Sequence, residues 1–318
     1  MRFLAVLLLA LSAQAAWADE DALSWLQRIR MATQKLSYTG TFVYRSGDQA
    51  ETSRIVHVAG RNGARERLET LDGQPREIVR SGDEVKCYLP GSMTVKVDRQ
   101  TGQKGFPALL PANLQDISEH YDVTKGPIER IAGYDCQSIV LQPKDKMRYG
   151  HRLWADVNTG MLLKSQTLND KNEVIEQFAF TQIAIGGKIG EEQLKPRFLA
   201  KSRAWHVENS GAVAASLADS GWTIKPELPG FKKVTEMKRT QGGSSEVGHV
   251  VYSDGLAAVS VFIEPMSNKT SVPQPGLSRQ GAINIYSRQV AEHLVTVVGE
   301  APAESVKKIA DSVEYRKP

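Results

Sequence analysis

Tyr38-Thr39-Gly40-Thr41-Phe42-Val43-Tyr44 alternates with a period of two: Tyr38, Gly40, Phe42 and Tyr44 take one face, and Thr39, Thr41 and Val43 the other. That is the pattern of a half-buried β-strand. Just before it the period differs. From Asp21 to Leu36 the apolar residues Ala22, Trp25, Leu26, Ile29, Ala32 and Leu36 recur at steps of three and four, which predicts an amphipathic helix with Asp19 or Asp21 as its N-cap. The change of period at Tyr38 decides the architecture, because strand-like runs dominate the chain from there to Ile185.

Toward the C-terminus these runs fall at Arg54 to Val58, Ala64 to Leu71, Arg76 to Arg80, Val85 to Leu89 and Thr94 to Asp98. Gly60 to Gly63, Asp72-Gly73-Gln74-Pro75 and Ser81-Gly82-Asp83 separate them with turn chemistry, predicting an antiparallel meander. The apolar, proline-bracketed Gly105 to Pro111 interrupts it, a short helix is expected around Asn113 to His120, and strands resume at Ile128 to Ile131, Gln137 to Leu141, Tyr149 to Asp156, Met161 to Leu168 and Val174 to Ile185. The expected fold class is α+β: a large curved antiparallel sheet, or half-barrel, wrapped on a helix.

Burial periodicity lapses between Gly186 and Ser220, apart from a short helical piece near Glu191 to Lys201. Domain boundaries fall at such lapses. The reading is a large unit over 19–200, a connection over 201–220 and a smaller α+β unit over 221–318. In that last unit His249 to Pro265 is a hairpin turning at Ser253-Asp254-Gly255. Strands at Ala282 to Arg288 and His293 to Val298 come after the loop Ser267 to Ser278, and Pro302 starts a closing helix with the apolar face Val306, Ile309, Ala310 and Val313.

The extreme N-terminus reads as a secretory signal peptide over 1–18: Arg2, an apolar run from Phe3 to Leu11, then Ala16-Trp17-Ala18 before Asp19-Glu20-Asp21. The run is shorter than the roughly 20 apolar residues a membrane-spanning helix needs. No cysteine comes directly after it, so no lipid attachment is expected there. A net charge of +4, with no block of five or more like charges, is not a nucleic-acid-binding composition. Cys87 and Cys136 can pair in an oxidising compartment, where the closed loop would contribute about 4 kcal/mol on the chain-entropy model. Two separate buried thiols is the other reading.

No catalytic signature is present. The six histidines are scattered, without H-E-x-x-H, C-x-x-C or H-x-H spacing, so no metal site is expected. There is no G-x-S-x-G elbow and no Walker loop, and acidic pairs such as Glu191-Glu192 and Asp83-Glu84 sit at polar turns. Two binding features remain. Phe42, Tyr44, Tyr88, Leu153, Trp154, Phe178 and Phe180 would line the concave face of a curled sheet, either as plain core or as a lipid-accepting groove. Lys232, Lys233, Lys238 and Arg239 flank a strand of the small unit, either as a partner-binding patch or as a solvated edge that discourages aggregation.

Four segments carry a resemblance over nearly the whole chain. Leu71-Asp72-Gly73-Gln74-Pro75-Arg76-Glu77-Ile78-Val79-Arg80 resembles the D-G-x-x-R-E-[VI]-V segment of the RseB/MucB proteins. Asp156 to Lys164 is similar to that family's D-x-x-T-G-x-P-L-K turn, with Leu162 in place of the proline. Tyr252 to Leu256 with Ser260-Val261 resembles its C-terminal hairpin, and Val295 to Glu300 with Pro302 its closing strand and helix. The resemblance implies a large domain like the carriers LolA and LolB plus a small C-terminal domain. It implies a periplasmic, non-enzymatic protein without cofactors that binds the periplasmic region of an RseA/MucA-type anti-sigma factor. It also implies protection of that factor from the site-1 protease and release by lipopolysaccharide or another acylated lipid, and it leaves a homodimer open. A LolA/LolB-type lipoprotein or lipid carrier is the alternative, and an enzyme with a dispersed active site is the remote one.

Overall fold

A computed structural model describes residues 21–317 except 62, 100–109, 111–113, 210, 242–244 and 267–274. The signal-peptide segment, most of the loop Gly105 to Pro111 and most of the loop Ser267 to Ser278 therefore lie outside the described residues. Helix α1 (21–35) leads into eleven strands of the large sheet: β1 (Tyr38–Ser46), β2 (Gln49–Val58), β3 (Arg65–Thr70), β4 (Glu77–Ser81), β5 (Glu84–Leu89), β6 (Thr94–Arg99), β7 (Tyr121–Ile131), β8 (Tyr134–Pro143), β9 (Gly150–Asp156), β10 (Leu162–Leu168) and β11 (Val174–Ile185). The short helix α2 (Gln115–His120) precedes β7. The chain thus forms two meanders, β1 to β6 and β7 to β11, joined by antiparallel pairing of β1 with β11. The result is a large curved open sheet, as the alternation from Tyr38 predicts.

Gly40 sits at the seam. A Cβ there would lie 2.6 Å from the Phe180 ring and 2.8 Å from the Gln182 carbonyl, so only glycine lets β11 close on β1 at this point. On α1, Ala22, Leu26 and Ile29 are at most 1% exposed. They pack with Tyr121, Ile139, Leu141, Leu153 and Leu162 of the sheet, each large apolar side chain contributing about 1.5–3 kcal/mol of burial free energy. Arg28 anchors the other side of the helix, donating to the Val157 carbonyl at 2.8 Å and lying over the Trp25 ring.

The weakly patterned connection differs from the sequence reading. In place of one helical piece the chain makes two single 3₁₀ turns, Glu191–Leu194 and Lys201–Ala204. Pro196 explains the break, because the residue before a proline avoids the α region, and Lys195 is extended. Next, β12 (His206–Asn209) pairs in parallel with β6, and β13 (Gly211–Ala214) joins the second sheet.

That second sheet contains β13, β15 (Lys232–Gln241), β16 (Ser245–Ser253), β17 (Ala258–Pro265), β20 (His293–Gly299), β19 (Ile283–Val290) and β18 (Gly276–Gln280), in this spatial order. Helix α3 (Ala303–Asp311) begins after Pro302 and buries Val306, Ile309 and Ala310 in the small-domain core. A two-stranded ribbon of β14 (Trp222–Ile224) and β21 (Val313–Tyr315) completes it. Among the described residues no helix is long and apolar enough to cross a membrane.

Candidate functional site: the domain junction and its crevice

The two domains meet through a buried charge pair. Asp145 starts the β8–β9 connection by accepting from the Met147 amide at 2.8 Å, and it also accepts from Arg148 Nε at 3.1 Å. Arg148 then points into the small domain, where Nη1 donates to Asp254 Oδ2 at 2.9 Å and Nη2 to the Pro229 carbonyl at 2.5 Å. Neither the Arg148 nor the Asp254 side chain is exposed. Asp254 is the hairpin-turn residue, and its Oδ1 accepts from the Leu256 and Ala257 amides. Tyr121 adds a hydroxyl donor to Oδ2 at 3.2 Å. Burying two charges is unfavourable unless the remaining donors and acceptors are also met, and here the carboxylate accepts from both sides of the junction.

Further contacts extend the junction. Ser305 of α3 donates to the Met147 carbonyl at 2.7 Å, and Asn284 donates to the Tyr149 hydroxyl at 2.9 Å. Tyr149, Ile175 and Ala282 form a small apolar cluster. At the far end the β18–β19 turn presses on the β1–β2 turn: Gly281, at φ +59°, has no room for a side chain, since its Cβ would lie 2.9 Å from that of Ser46. Burial pushes the Glu176 carboxyl up to about 7, helped by the charge of Glu300 from the small domain. Burial also drives the imidazole of His151 down to about 4, with Asp254 opposing the shift.

Beside this junction opens a crevice of about 1260 Å³. Its large-domain wall is the β1–β2 hairpin, the turn Asp72 to Arg76 and the 3₁₀ turn Pro90–Ser92; Gln280 and Ile283 of the small domain face it. Asp72 is locked by accepting from the Thr52 amide through both oxygens, at 2.9 and 3.0 Å, and Arg76 pairs with Glu51 at 2.9 Å.

The seven groove candidates do not share one surface. Phe42, Trp154, Phe178 and Phe180 are 2–5% exposed and lie in one cluster, with the three phenylalanine rings meeting edge to face at 5.0–5.9 Å. Tyr44 packs against that cluster and also lines the crevice. Leu153 belongs to the helix-side core instead, as its position next to Trp154 requires, because neighbours in a strand point to opposite faces. Tyr88 is buried on β5, opposite Glu77 and Val95.

The basic candidates each have a local partner. Lys232 reaches Asp116 of the large domain at 2.8 Å, Lys233 pairs with Glu236, Lys238 with Glu246 at 3.1 Å, and Arg239 Nε approaches Met237 Sδ at 3.2 Å. Cys87 and Cys136, for which a disulfide was one of two readings, are separate free thiols on β5 and β8. Burial raises both, Cys136 to about 12. Among the described residues no three His, Cys, Asp or Glu side chains converge as a metal site.

Two family models cover the chain almost end to end: the MucB/RseB N-terminal domain matches residues 21–198 and the MucB/RseB C-terminal domain residues 216–314. The chain belongs to the MucB/RseB family. The sigma factor AlgU regulatory protein MucB of Pseudomonas aeruginosa is 33% identical over 324 residues, covering 98% of each protein. The sigma-E factor regulatory protein RseB of Escherichia coli K12 is 25% identical over 292 residues, covering 91% of this chain and 89% of its own. A crystal structure of MucB in complex with MucA(peri) superposes with a TM-score of 0.71 at 29% identity, covering 93% of this chain and 100% of that one. A crystal structure of MucB gives 0.67 at 29% identity, over 93% of this chain and 98% of that one. MucB/RseB proteins are regulatory binding proteins and not an enzyme family.

Sequence reasoning found the Asp72 to Arg76 turn as a motif and Asp254 as a turn residue. It missed Arg148, which reads as one more cation after Lys144 and Lys146. Nothing local in the sequence separates a guanidinium that crosses a domain junction from one in water.

Proposed function

We propose that this chain is a periplasmic regulator that binds the periplasmic region of an RseA/MucA-type anti-sigma factor, shields it from site-1 proteolysis and lets go when lipopolysaccharide or a related acylated lipid binds. The observation that carries this reading is the full-length likeness to MucB as crystallised with MucA(peri), at a TM-score of 0.71 over both domains. The two-domain junction supports it physically. A regulator must hold and release its partner, and two domains that meet through a few specific polar contacts provide two arrangements for a ligand to choose between.

The test is a binding measurement between the protein without residues 1–18 and the periplasmic region of the host's anti-sigma factor, repeated with lipopolysaccharide and then with digestion by the site-1 protease. Binding, slowed cleavage and competition by lipopolysaccharide are expected. Failure of folded protein to bind overturns the reading and puts the lipid-carrier alternative first.

A further inference from the structure

We propose that the connection between the domains, from Lys195 to Val207, is a docking surface for a bilayer that carries anionic phospholipid. The run Lys195-Pro196-Arg197-Phe198-Leu199-Ala200-Lys201-Ser202-Arg203-Ala204-Trp205-His206 holds four cations and no acid, interleaved with three large apolar side chains. Cations for headgroup phosphates beside apolar groups for the layer beneath are the chemistry of segments that lie on a membrane surface. An indole such as that of Trp205 settles at the headgroup level.

The fold pins the inner side of this segment and leaves its outer side in water. Glu77 of β4 accepts from the Arg197 and Phe198 amides at 3.1 and 3.5 Å. The Phe198 and Trp205 rings lie 5.9 Å apart and are only partly buried, while Leu199 and Val207 are each 51% exposed. The His206 amide donates to the Met93 carbonyl at 2.9 Å, which brings Met93, 63% exposed, beside them. Contiguous exposed apolar groups rimmed by charge mark an interaction surface.

Charge identifies the occupant. The nearby acids are already engaged: Glu191 by Arg65 at 2.6 Å, Glu192 by Lys195 at 2.5 Å and Glu208 by Lys96 at 3.5 Å, while Arg197 pairs with Glu69. Lys201 and Arg203, both exposed on the second 3₁₀ turn, have no carboxylate partner among the described residues. The patch is therefore positive on balance and complements an anionic surface. Export, which residues 1–18 predict, takes the chain away from nucleic acid and leaves phospholipid headgroups as the abundant polyanion. An acidic polypeptide would match the cations but leave the apolar groups wet, whereas a bilayer meets both.

The experiment is co-sedimentation of the protein without residues 1–18 with phospholipid vesicles, either pure phosphatidylcholine or about one-third phosphatidylglycerol. Binding is expected to be at least tenfold tighter to the anionic vesicles and to vanish in concentrated salt, where screening shortens to about 3 Å. Lys201→Ala with Arg203→Ala is expected to weaken it more than tenfold, at about fivefold per cation, and Leu199→Ser to weaken it several-fold, both with unchanged melting temperatures. Lys146→Ala with Lys171→Ala removes the same charge from exposed sites elsewhere and is expected to match wild type. Hydrogen exchange of the unmodified sequence is expected to slow over residues 195–209 when anionic vesicles are added, a readout that needs no variant. Equal binding to both vesicle types, no binding to either, or exchange unchanged over 195–209 overturns the assignment. So does a Lys146/Lys171 control that loses as much as the Lys201/Arg203 variant, or binding to soluble polyglutamate as tight as to the vesicles. No anti-sigma factor enters this test, so its outcome is separate from that of the regulator reading.

Discussion

Arg148 and Asp254 meet at 2.9 Å with no exposed side-chain surface on either, and they belong to different domains. Each has partners of its own domain as well, Asp145 for the arginine and the Leu256 and Ala257 amides for the aspartate, so each side chain is also oriented from its own side of the junction.

Asp254→Asn keeps an oxygen for those amides but leaves the buried guanidinium with only Asp145, which is partly exposed, as a counter-charge. Breaking a buried pair from one side costs about 3–5 kcal/mol. Calorimetry is expected to show a lower melting temperature, with the small domain separating as its own transition. Arg148→Met with Asp254→Asn removes both charges and is expected to recover much of the loss. A single Asp254→Asn that melts like wild type would show that the pair does not couple the domains.

The junction also carries two groups of opposite pH sense. Glu176 is held at about 7 by burial and by Glu300, with Tyr44 donating to it. Folded protein therefore binds more protons than unfolded protein between about pH 4.5 and 7, and this contribution to stability is lost as pH rises through that window. His151 is held at about 4 by burial. Its unfolded form takes up the proton first, so its contribution is lost as pH falls below about 6.5. Comparing melting temperatures from pH 5 to 8, Glu176→Gln is expected to gain on wild type as pH rises, and His151→Gln to gain on it as pH falls. Parallel curves for all three proteins would exclude both assignments.

Glu77 on β4 ties the domain connection to the large sheet. Its side chain is wholly buried, accepts from the Arg197 amide at 3.1 Å and faces Arg67 at 3.5 Å. Arg197 pairs with Glu69, and Arg65 holds Glu191 through two bonds of 2.6 and 2.8 Å. Glu77→Ala leaves an amide and a guanidinium short of an acceptor, at about 1–3 kcal/mol for each group left unsatisfied. Hydrogen exchange is expected to quicken over residues 190–205 while β9 and β10 keep their protection. Unchanged exchange there would mean the other ion pairs suffice.

The elements legible in advance were those with a local signal. The period change at Tyr38, the long strand-like run Val174 to Ile185 and the Ser253-Asp254-Gly255 turn predicted α1, β11 and the β16–β17 hairpin, and all three stand where expected. Strands β12 and β13 were not legible: each has four residues, and they are strands only because β6 and β15 offer edges to pair with. The crevice was half legible. Its rim stood out as a turn motif, but the facing wall belongs to the other domain and arrives through contacts such as Gly281 against Ser46. Trp154 and Leu153 were grouped because both are apolar, whereas strand geometry sends them to different cores.

Trp154 tests whether lipid enters the large domain. It is 2% exposed, Lys164 Nζ lies 4.3 Å from its ring, and it shares a cluster with Phe42, Phe178 and Phe180 that is filled by its own side chains. An entering acyl chain must displace part of this packing. Opening a large aromatic site costs about 3–5 kcal/mol, judging from truncation of such residues, and about ten buried methylenes return about 8 kcal/mol. Entry is therefore favourable for a long chain and not for a short one. In protein without residues 1–18 and with Trp25, Trp205 and Trp222 replaced by phenylalanine, Trp154 fluorescence is expected to be quenched by brominated long-chain lipid and unaffected by a short-chain analogue. Trp154→Ala is expected to bind the long chain more readily, because the opening is already made. Unquenched fluorescence at a lipopolysaccharide concentration that releases the anti-sigma segment would place the lipid outside this cluster.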